Sequence, residues 1–352
     1  MKQIRTYSLA ALFAAALFTA CKKDSGTADN NDELQAEILS NAATAVCTDS
    51  YEDMYAKSQQ LLAAVNTLNT TTTDANLESC RALWKAIRNT WEQTEAWLFG
   101  PVSSDNIDPR IDTWPVDFNA LENILATSDE LNETYVDGLD DALKGFHPIE
   151  YLLWGQDGNK TAADFTAREK EYLLGLAQNL NKLSKEVSES WSNGYATQLA
   201  TAGSGSATYT TKKSAYVEIA DAMTGICDEV ANGKMKDPFD QQDPTQEESP
   251  FAKNSLIDFA NNIRGIMAMY QGKFSSDGKG IEDLVRTYDL SLDNDIKTAH
   301  ATALASLEAI SVPFGEAILT QQTQVQNAME KINALATLLD TDLKDFILQY
   351  TQ

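Results

Sequence analysis

The spacing of the apolar residues constrains the fold of this chain more than any other feature of its sequence. From Leu34 to Leu68 they recur at intervals of three and four residues, and almost no segment alternates polar with apolar residues. A repeat near 3.6 residues is typical of amphipathic helices, whereas a half-buried strand needs a repeat of two. The sequence therefore predicts an all-α protein.

The predicted helices form two groups of four, in residues 34–200 and 213–352. The best-defined segments are one near 76–99, one that begins at Pro148, and five near 162–191, 215–230, 250–270, 281–307 and 313–349. Short connections favour neighbouring helices around a shared apolar seam. We therefore predict two tandem halves that resemble four-helix bundles, an arrangement compatible with an internal duplication.

Three segments lack the helical repeat. Residues 201–212 are rich in Gly, Ser and Thr and are the predicted linker or mobile loop between the halves. Residues 100–119 and 232–249 contain prolines, which are expected to exclude regular helix. Compact domains rarely keep long irregular segments without a use. We therefore expect these two segments to border a functional site.

The N-terminal residues predict export. A short basic start precedes an apolar run from Leu9 to Phe18 that is too brief to span a bilayer. Residues 1–20 are predicted to be a signal peptide, and Leu-Phe-Thr-Ala-Cys resembles the bacterial lipobox, in which the cysteine, here Cys21, is lipidated. Residues 21–33 would then be a disordered tether to the outer membrane, facing the periplasm or the cell surface. The alternative is an ordinary signal peptide with an incidental cysteine.

Composition limits the partners and the crosslinks. The net charge of −25 at pH 7 opposes binding to phosphate backbones, so nucleic acid is not an expected partner. Three cysteines follow the predicted lipidation site, an odd number that implies no disulfide framework. A single bridge between Cys47 and Cys80 is an open alternative in an exported chain.

The strongest local signal for chemistry is the segment GFHPIEYLLWG, which begins at Gly145. Pro148 suits the first turn of a helix, where its missing N–H is not needed. His147 and Glu150 would then converge at the helix start, where they could share a metal ion or a proton. The alternative is that Glu150 only caps the helix.

A second signal is a carboxylate within an apolar stripe. The stripe consists of Leu77, Cys80, Trp84, Ile87, Trp91, Glu95 and Leu98. A buried carboxylate is costly unless it is paired, protonated or bound to a cation, which makes Glu95 a site candidate. Arg88 and Arg110 are its expected partners if it is not a metal ligand, and a solvated Glu95 is the alternative.

Taken together, these segments resemble the imelysin-like family. GFHPIEYLLWG matches the family's GxHxxE motif, WEQTEAWLFGPV its glutamate and Phe-Gly-Pro segment, RIDTWP a family loop, and residues 232–262 its second-half signature. The resemblance implies a two-bundle helical fold, a polar pocket between the halves and an envelope location. Members of the family are classed as metallopeptidases or are similar to iron-uptake and iron-regulated proteins.

Residue chemistry and the resemblance together define a candidate site. The candidate metal ligands are His147, Glu150 and Glu95, and the candidate pocket residues are Arg110, Asp112, Glu248, Ser249 and Asn254. Arg110 and Asp112 are expected to give outer support to the ligands. One imidazole in an oxygen-rich set suits iron, calcium or manganese more readily than a hydrolytic zinc. The resemblance to the family favours iron, with zinc or calcium as alternatives.

Three functions remain open at this stage. The preferred hypothesis is a lipid-anchored protein that binds a metal or a metal-bearing ligand. A zinc peptidase normally supplies two histidines and a carboxylate, but position 151 is Tyr, and the only other histidine, His300, is expected to be a satisfied boundary residue. A metallopeptidase and a surface adhesion or scaffold module are the alternatives.

Overall fold

The computed structural model describes residues 26–352, with side chains from residue 31. The predicted signal peptide and Cys21 lie outside these residues. Within them the regular structure is helical and no strand forms, which confirms the predicted all-α class. None of the helices in this range is both long and apolar enough to cross a membrane.

Between residue 26 and the predicted linker, the structure describes ten α-helices. They are α1 (Gly26–Asn41), α2 (Asp49–Thr70), α3 (Asp74–Thr94), α4 (Pro101–Ser104), α5 (Ile107–Asp112), α6 (Phe118–Ala126), α7 (Glu133–Asp137), α8 (Phe146–Trp154), α9 (Ala167–Ser190) and α10 (Ala196–Ala200). Helix α2 packs between α3 and α9, and α8 contacts both of these. Helix α1 begins before residue 34, so the last part of the segment predicted as a disordered tether is helical.

The helices after the linker are α11 (Lys212–Glu229), α12 (Lys236–Gln241), α13 (Ser255–Gln271), α14 (Ile281–Tyr288), α15 (Leu290–Glu308), α16 (Phe314–Thr320), α17 (Gln322–Leu338) and α18 (Lys344–Tyr350). Helices α11, α13, α15 and α17 pack in a closed ring, each against the next. Four π-helical turns join or extend helices, at Ala42–Thr48, Trp191–Tyr195, Val230–Lys234 and Leu339–Leu343.

Helices α3 and α13 join the two groups. They approach so closely at Gly265 that a β carbon there would collide with the carbonyl oxygen of Gln93, so a small residue is needed at this crossing. The buried apolar side chains of both groups form one continuous cluster. The same crossing brings Asn262 of α13 to the end of α3, where its amide donates to the carbonyl oxygen of Glu92 over 2.9 Å.

The prediction that residues 100–119 and 232–249 exclude regular helix was wrong. The first segment contains α4, α5 and the start of α6, and the second contains α12 and a 3₁₀ turn at Pro244–Gln246. Pro101, Pro109 and Pro238 all lie in the first turn of their helices. The first four N–H groups of a helix have no intrahelical partner, so proline is tolerated there.

The predicted linker is held by packing and hydrogen bonds. Residues 201–211 form turns, and Tyr209 among them is buried. Its hydroxyl lies 2.7 Å from that of Tyr195, and its carbonyl accepts a hydrogen bond from the N–H of Gly203. This segment is therefore anchored to α10 and its preceding turn.

The cysteines within the described residues are free. Cys47, Cys80 and Cys227 are all buried, and the open alternative of a bridge between the first two is not realised. Burial raises the pKa of each thiol above its ordinary value. These residues therefore act as small apolar side chains of the core.

Candidate functional site

The GxHxxE motif forms the start of α8. Gly145 precedes the helix with φ 80° and ψ −153°, a conformation that is essentially restricted to glycine. A β carbon at this position would lie 2.0 Å from the carbonyl oxygen of Ile111. The glycine therefore lets the end of α5 approach α8, and this approach brings Asp112 next to His147.

His147 is buried between two carboxylates. Its Nε2 lies 3.0 Å from Asp112 Oδ1, and its Nδ1 lies 3.5 Å from Glu150 Oε2. Burial lowers the pKa of His147, but its contacts with Asp112 and Glu150 outweigh that effect and raise the pKa to about 9. The imidazole is therefore protonated at neutral pH and bridges α5 and α8 as a cation.

Glu150 links the two groups of helices. It is completely buried, and its Oε1 accepts hydrogen bonds from the backbone N–H groups of Phe251, over 3.0 Å, and Ala252, over 2.7 Å. The alternative that Glu150 only caps its own helix is therefore not what the structure shows. This carboxylate instead fixes the segment that leads into α13.

Arg88 is the central cation of the cluster and is fully buried. Its guanidinium forms ion pairs with Glu92, Asp112, Glu248 and Asp258, the last two at 3.2 and 3.4 Å. The sequence indicated Arg88 only as a partner for Glu95, but the two side chains are not within ion-pair distance. The i, i+4 spacing of Arg88 and Glu92 on α3 was the available signal for this network.

Asp112 lies at the junction of these contacts. Arg88 and His147 both face it, and the indole N–H of Trp91 donates to its Oδ2 over 2.6 Å. Burial raises the pKa of Asp112, but the two cations outweigh it and hold the pKa well below its usual range. Asp112, expected only as outer support, is thus an ionised carboxylate at the centre of the site.

Glu95 is buried, as its position in the apolar stripe predicts. It lies in a 3₁₀ turn directly after α3, and its partner is neither Arg88 nor Arg110 but Lys234, whose Nζ is 2.6 Å from Glu95 Oε2. Burial raises the pKa of Glu95 well above its ordinary value. Lys234 was missed because it comes 139 residues later in the chain, where no local pattern marks it.

Ser249 and Asn254, two of the candidate pocket residues, hold the carboxylate of Asp258 in place. Ser249 Oγ donates to Asp258 Oδ2 over 2.6 Å, and Asn254 Nδ2 donates to Asp258 Oδ1 over 2.7 Å. Both residues therefore orient Asp258 towards Arg88. The predicted helix start at residue 250 was wrong, since α13 begins at Ser255, and the preceding turn supplies the N–H groups that bind Glu150.

Arg110 lies outside the cluster. Its guanidinium pairs with Asp137 at 2.9 Å and with Glu186 at 3.8 Å, on the surface of the first group of helices. Partial burial raises the pKa of Asp137, but hydrogen bonds from Lys182, Arg110 and Asn179 lower it overall to about 2. The expected support by Arg110 is therefore not found, although its neighbour Asp112 is in the site.

His300 is a satisfied boundary residue, as predicted. It is buried on α15, and its Nε2 lies 3.0 Å from the carbonyl oxygen of Ile263. The aromatic residues Trp84, Trp91 and Trp154 lie in the core, as expected. Trp91 adds a polar contact to Asp112 that its place in the stripe did not predict.

A pocket of about 320 Å³ opens beside this cluster. Among its lining side chains are six carboxylates and one ammonium group, namely Glu95, Asp108, Asp112, Glu229, Asp237, Glu248 and Lys234. His147 is not part of the pocket wall; its ring packs against Trp114, which is, with 5.0 Å between the ring centroids. The pocket is therefore strongly acidic, and the GxHxxE histidine supports its wall from behind.

The carboxylates could hold a metal ion in two related ways. Asp112, His147 and Glu248 each offer a ligand atom within 4.8 Å of the others, and so do Glu92, Glu95, Asp112 and Glu248. Glu248 Oε2 is buried and has no hydrogen-bond partner among the described residues. Oxygen-rich sets of this kind suit hard cations. Glu150 belongs to neither set.

These features define a class of all-α proteins in which a GxHxxE helix supports an acidic pocket between two groups of helices. The imelysin family model, designated peptidase M75, matches residues 47–341. The chain therefore belongs to the imelysin family, as the sequence motifs predicted.

One relative supports this assignment, and two solved structures share the fold. The chain is 31% identical over 328 residues to iron-regulated protein A of Synechococcus elongatus, covering 88% of this chain and 86% of that protein. The crystal structure of an iron-regulated protein A precursor from Parabacteroides distasonis matches with a TM-score of 0.80 at 24% identity, covering 88% of this chain and 94% of that one. An imelysin-like protein from Psychrobacter arcticum matches with a TM-score of 0.72 at 13% identity, covering 89% and 95%.

Proposed function

We propose that this protein binds a metal cation, with iron as the favoured metal, in the acidic pocket through Asp112, Glu248 and Glu95. The observation that carries the proposal is the convergence of these carboxylates, with Glu92 behind them, within 4.8 Å of one another. Carboxylates brought this close are stabilised by a cation that several of them share. The unpartnered Oε2 of Glu248 offers a further donor.

The GxHxxE residues position this site. His147 holds Asp112 from behind, and Glu150 fixes the backbone of Phe251 and Ala252. A ring nitrogen of His147 is close enough to Asp112 and Glu248 to join them as a ligand, which requires the imidazole to be neutral. Glu150, one of the ligands expected from the sequence, is assigned a structural role because its Oε1 accepts from Phe251 and Ala252 and the residue belongs to neither candidate ligand set.

Iron is favoured by the ligand chemistry together with one relative. A set of carboxylates suits hard cations such as iron, manganese and calcium, whereas zinc typically takes nitrogen-rich or sulfur-rich sets. A relative that is 31% identical over most of its length is named iron-regulated protein A. We therefore propose a role in iron uptake or iron homeostasis.

We further propose that the chain works in the bacterial envelope as a lipoprotein attached through Cys21. The basic start, the short apolar run and the lipobox-like segment of residues 1–21 support this location. Expression of the full chain and of Cys21→Ser, followed by membrane fractionation and mass measurement, tests it. An acylated wild type in the membrane fraction and an unacylated variant outside it are expected; an unacylated wild type would refute the anchor.

The metal proposal is tested by equilibrium dialysis of the purified protein against Fe²⁺ under anaerobic conditions, and against Mn²⁺, Ca²⁺ and Zn²⁺. Asp112→Asn/Glu248→Gln should weaken binding of the preferred metal by at least about tenfold. The matched control is Asp342→Asn/Asp345→Asn, which removes two carboxylates from a different acidic surface pocket. Absence of stoichiometric binding by the wild type, or equal loss in both variants, would overturn the proposal.

A metallopeptidase is the second candidate because of the family's designation. The chain contains two histidines, and His300 contacts the Ile263 carbonyl on another helix, so a site with two histidine ligands does not form around His147. A peptidase would have to work with carboxylate ligands. Chelator-sensitive cleavage of a peptide library that is lost in Glu248→Gln would favour this function.

A further inference from the structure

The oxygen cluster proposed to bind the metal already surrounds a cation from the protein itself. Lys234 Nζ lies 2.6 Å from Glu95 Oε2, 2.9 Å from Glu248 Oε1 and 3.6 Å from Glu92 Oε2. These three carboxylates belong to one of the candidate ligand sets. The ammonium group therefore lies among the oxygens that a bound metal would need.

Two cations of the cluster, Arg88 and Lys234, differ in their freedom to move. Each pairs with four carboxylates, but the Arg88 side chain is completely inaccessible, whereas the Lys234 side chain keeps 11% of its surface exposed and lines the pocket. A guanidinium is a rigid planar fork, while a lysine ammonium is a point charge on a flexible four-carbon stem. Lys234 is therefore the cation that can leave the oxygens without rearrangement of the core.

The pocket offers Lys234 a second position. Glu229 Oε1 lies 3.9 Å from Nζ, and its side chain is 53% exposed. Asp237 also lines the pocket. An ammonium that withdraws from Glu95 would therefore remain near carboxylates, in a more hydrated setting, which reduces the cost of its displacement.

The backbone next to Lys234 leaves room for such a movement. Lys234 ends the π-helical turn Val230–Lys234, between α11 and α12. Gly233 lines the pocket, and a β carbon there would meet no atom within 4 Å. Single π-helical turns often occur at functional sites.

We propose that Lys234 is a displaceable internal cation, which competes with the metal for Glu95 and Glu248 and moves towards Glu229 when the metal enters. This inference rests on the proposed metal site and adds a residue that sets its affinity and selectivity. Exchange of one ammonium for a monovalent ion leaves the charge of the cluster unchanged. A divalent or trivalent ion adds positive charge to an excess of carboxylates, so Lys234 selects for multivalent cations.

The test compares Mn²⁺ and Fe²⁺ binding by the wild type with binding by Lys234→Met, which keeps the side-chain length and removes the charge. Like charges placed side by side repel each other. Lys234→Met should therefore bind Mn²⁺ and Fe²⁺ at least about tenfold more tightly than the wild type does. The matched control is Lys236→Met on α12, which removes an exposed ammonium that pairs with Asp240 and should leave the affinity unchanged. Equal or weaker binding by Lys234→Met would overturn the inference.

A measurement on the wild type covers the case in which Lys234→Met does not fold. Acetylation of Lys234 by an amine-reactive ester, followed by mass spectrometry of peptides, should be faster with saturating Mn²⁺ than without it. An unchanged or slower rate would refute displacement. Binding by the wild type that is lost in Glu248→Gln but unaffected by Lys234→Met would reject this inference alone, whereas no binding by the wild type would reject the metal site itself.

Discussion

The carbonyl oxygen of Ile111 occupies the space that a side chain at position 145 would need, since a β carbon on Gly145 would lie 2.0 Å from it. This relationship gives the glycine of the GxHxxE motif a physical purpose. It sets the separation between α5 and α8, and therefore the contact between Asp112 and His147.

Gly145→Ala should lower the free energy of unfolding by about 2–4 kcal/mol, through strain at positive φ and the collision with Ile111. It should also weaken metal binding, because α5 and Asp112 must move away. Gly225→Ala is the matched control, since Gly225 is exposed in α11 with open space around it; it should stabilise the protein by up to about 1 kcal/mol. Urea unfolding of both variants checks this, and a neutral Gly145→Ala would contradict the close approach.

Replacement of Arg88 should damage the fold more than replacement of any other cation in the cluster. Arg88→Met leaves Glu92 and Asp112 without the guanidinium and should cost about 3–5 kcal/mol of stability. Addition of Glu92→Gln should recover part of this loss, because one uncompensated carboxylate is then removed. The measurement is a double-mutant cycle by urea unfolding, and strictly additive effects would show that the two residues are not coupled.

Glu150→Ala should destabilise the protein by about 3–5 kcal/mol, since two buried N–H groups lose their acceptor and the His147 cation loses a partner. Glu150→Gln keeps an acceptor for the N–H groups of Phe251 and Ala252, so it should lose clearly less stability than Glu150→Ala. Glu37→Ala, at an exposed position on α1, should change stability by less than about 0.5 kcal/mol. Identical losses for the Ala and Gln variants would show that the backbone contacts contribute nothing.

Asp137 should make stability depend on pH in acid. Its pKa is about 2 in the folded protein, below its ordinary value of 3.8, so its contribution is present above pH 3.8 and is lost as the pH falls through about 2. The stability difference between wild type and Asp137→Asn should therefore be constant above pH 5 and shrink between pH 4 and 2. Urea unfolding across this range measures it, and a difference that does not vary with pH would contradict the assignment.

Arg110→Ala should leave metal affinity unchanged, because Arg110 pairs with Asp137 and Glu186 away from the pocket. Its effect on stability should be small, about 0.5–1 kcal/mol, since the pair is partly exposed. Equilibrium dialysis beside Asp112→Asn provides the comparison. A loss of affinity as large as that of Asp112→Asn would show that Arg110 acts on the site after all.

The sequence by itself determined the features that depend on local pattern. The spacing of apolar residues predicted an all-α fold, because an amphipathic helix reveals its buried face in a single segment. The same spacing placed Glu95 in the core, and the order of the motifs identified the family. The prolines led to the wrong prediction that residues 100–119 and 232–249 exclude regular helix, because composition alone does not show that a proline lies in the first turn of a helix.

Only the tertiary structure decided which charged groups meet. Glu95 pairs with Lys234 from a distant part of the chain, and Asp112 meets Arg88 because α5 packs against α8, which in turn packs against α3. Arg88 and Arg110 were equally plausible partners in the sequence, yet one is buried at the centre and the other faces the surface. The physical reason is that ion-pair energy depends on the distance and burial of both partners, and for residues far apart in sequence both are set by helix packing.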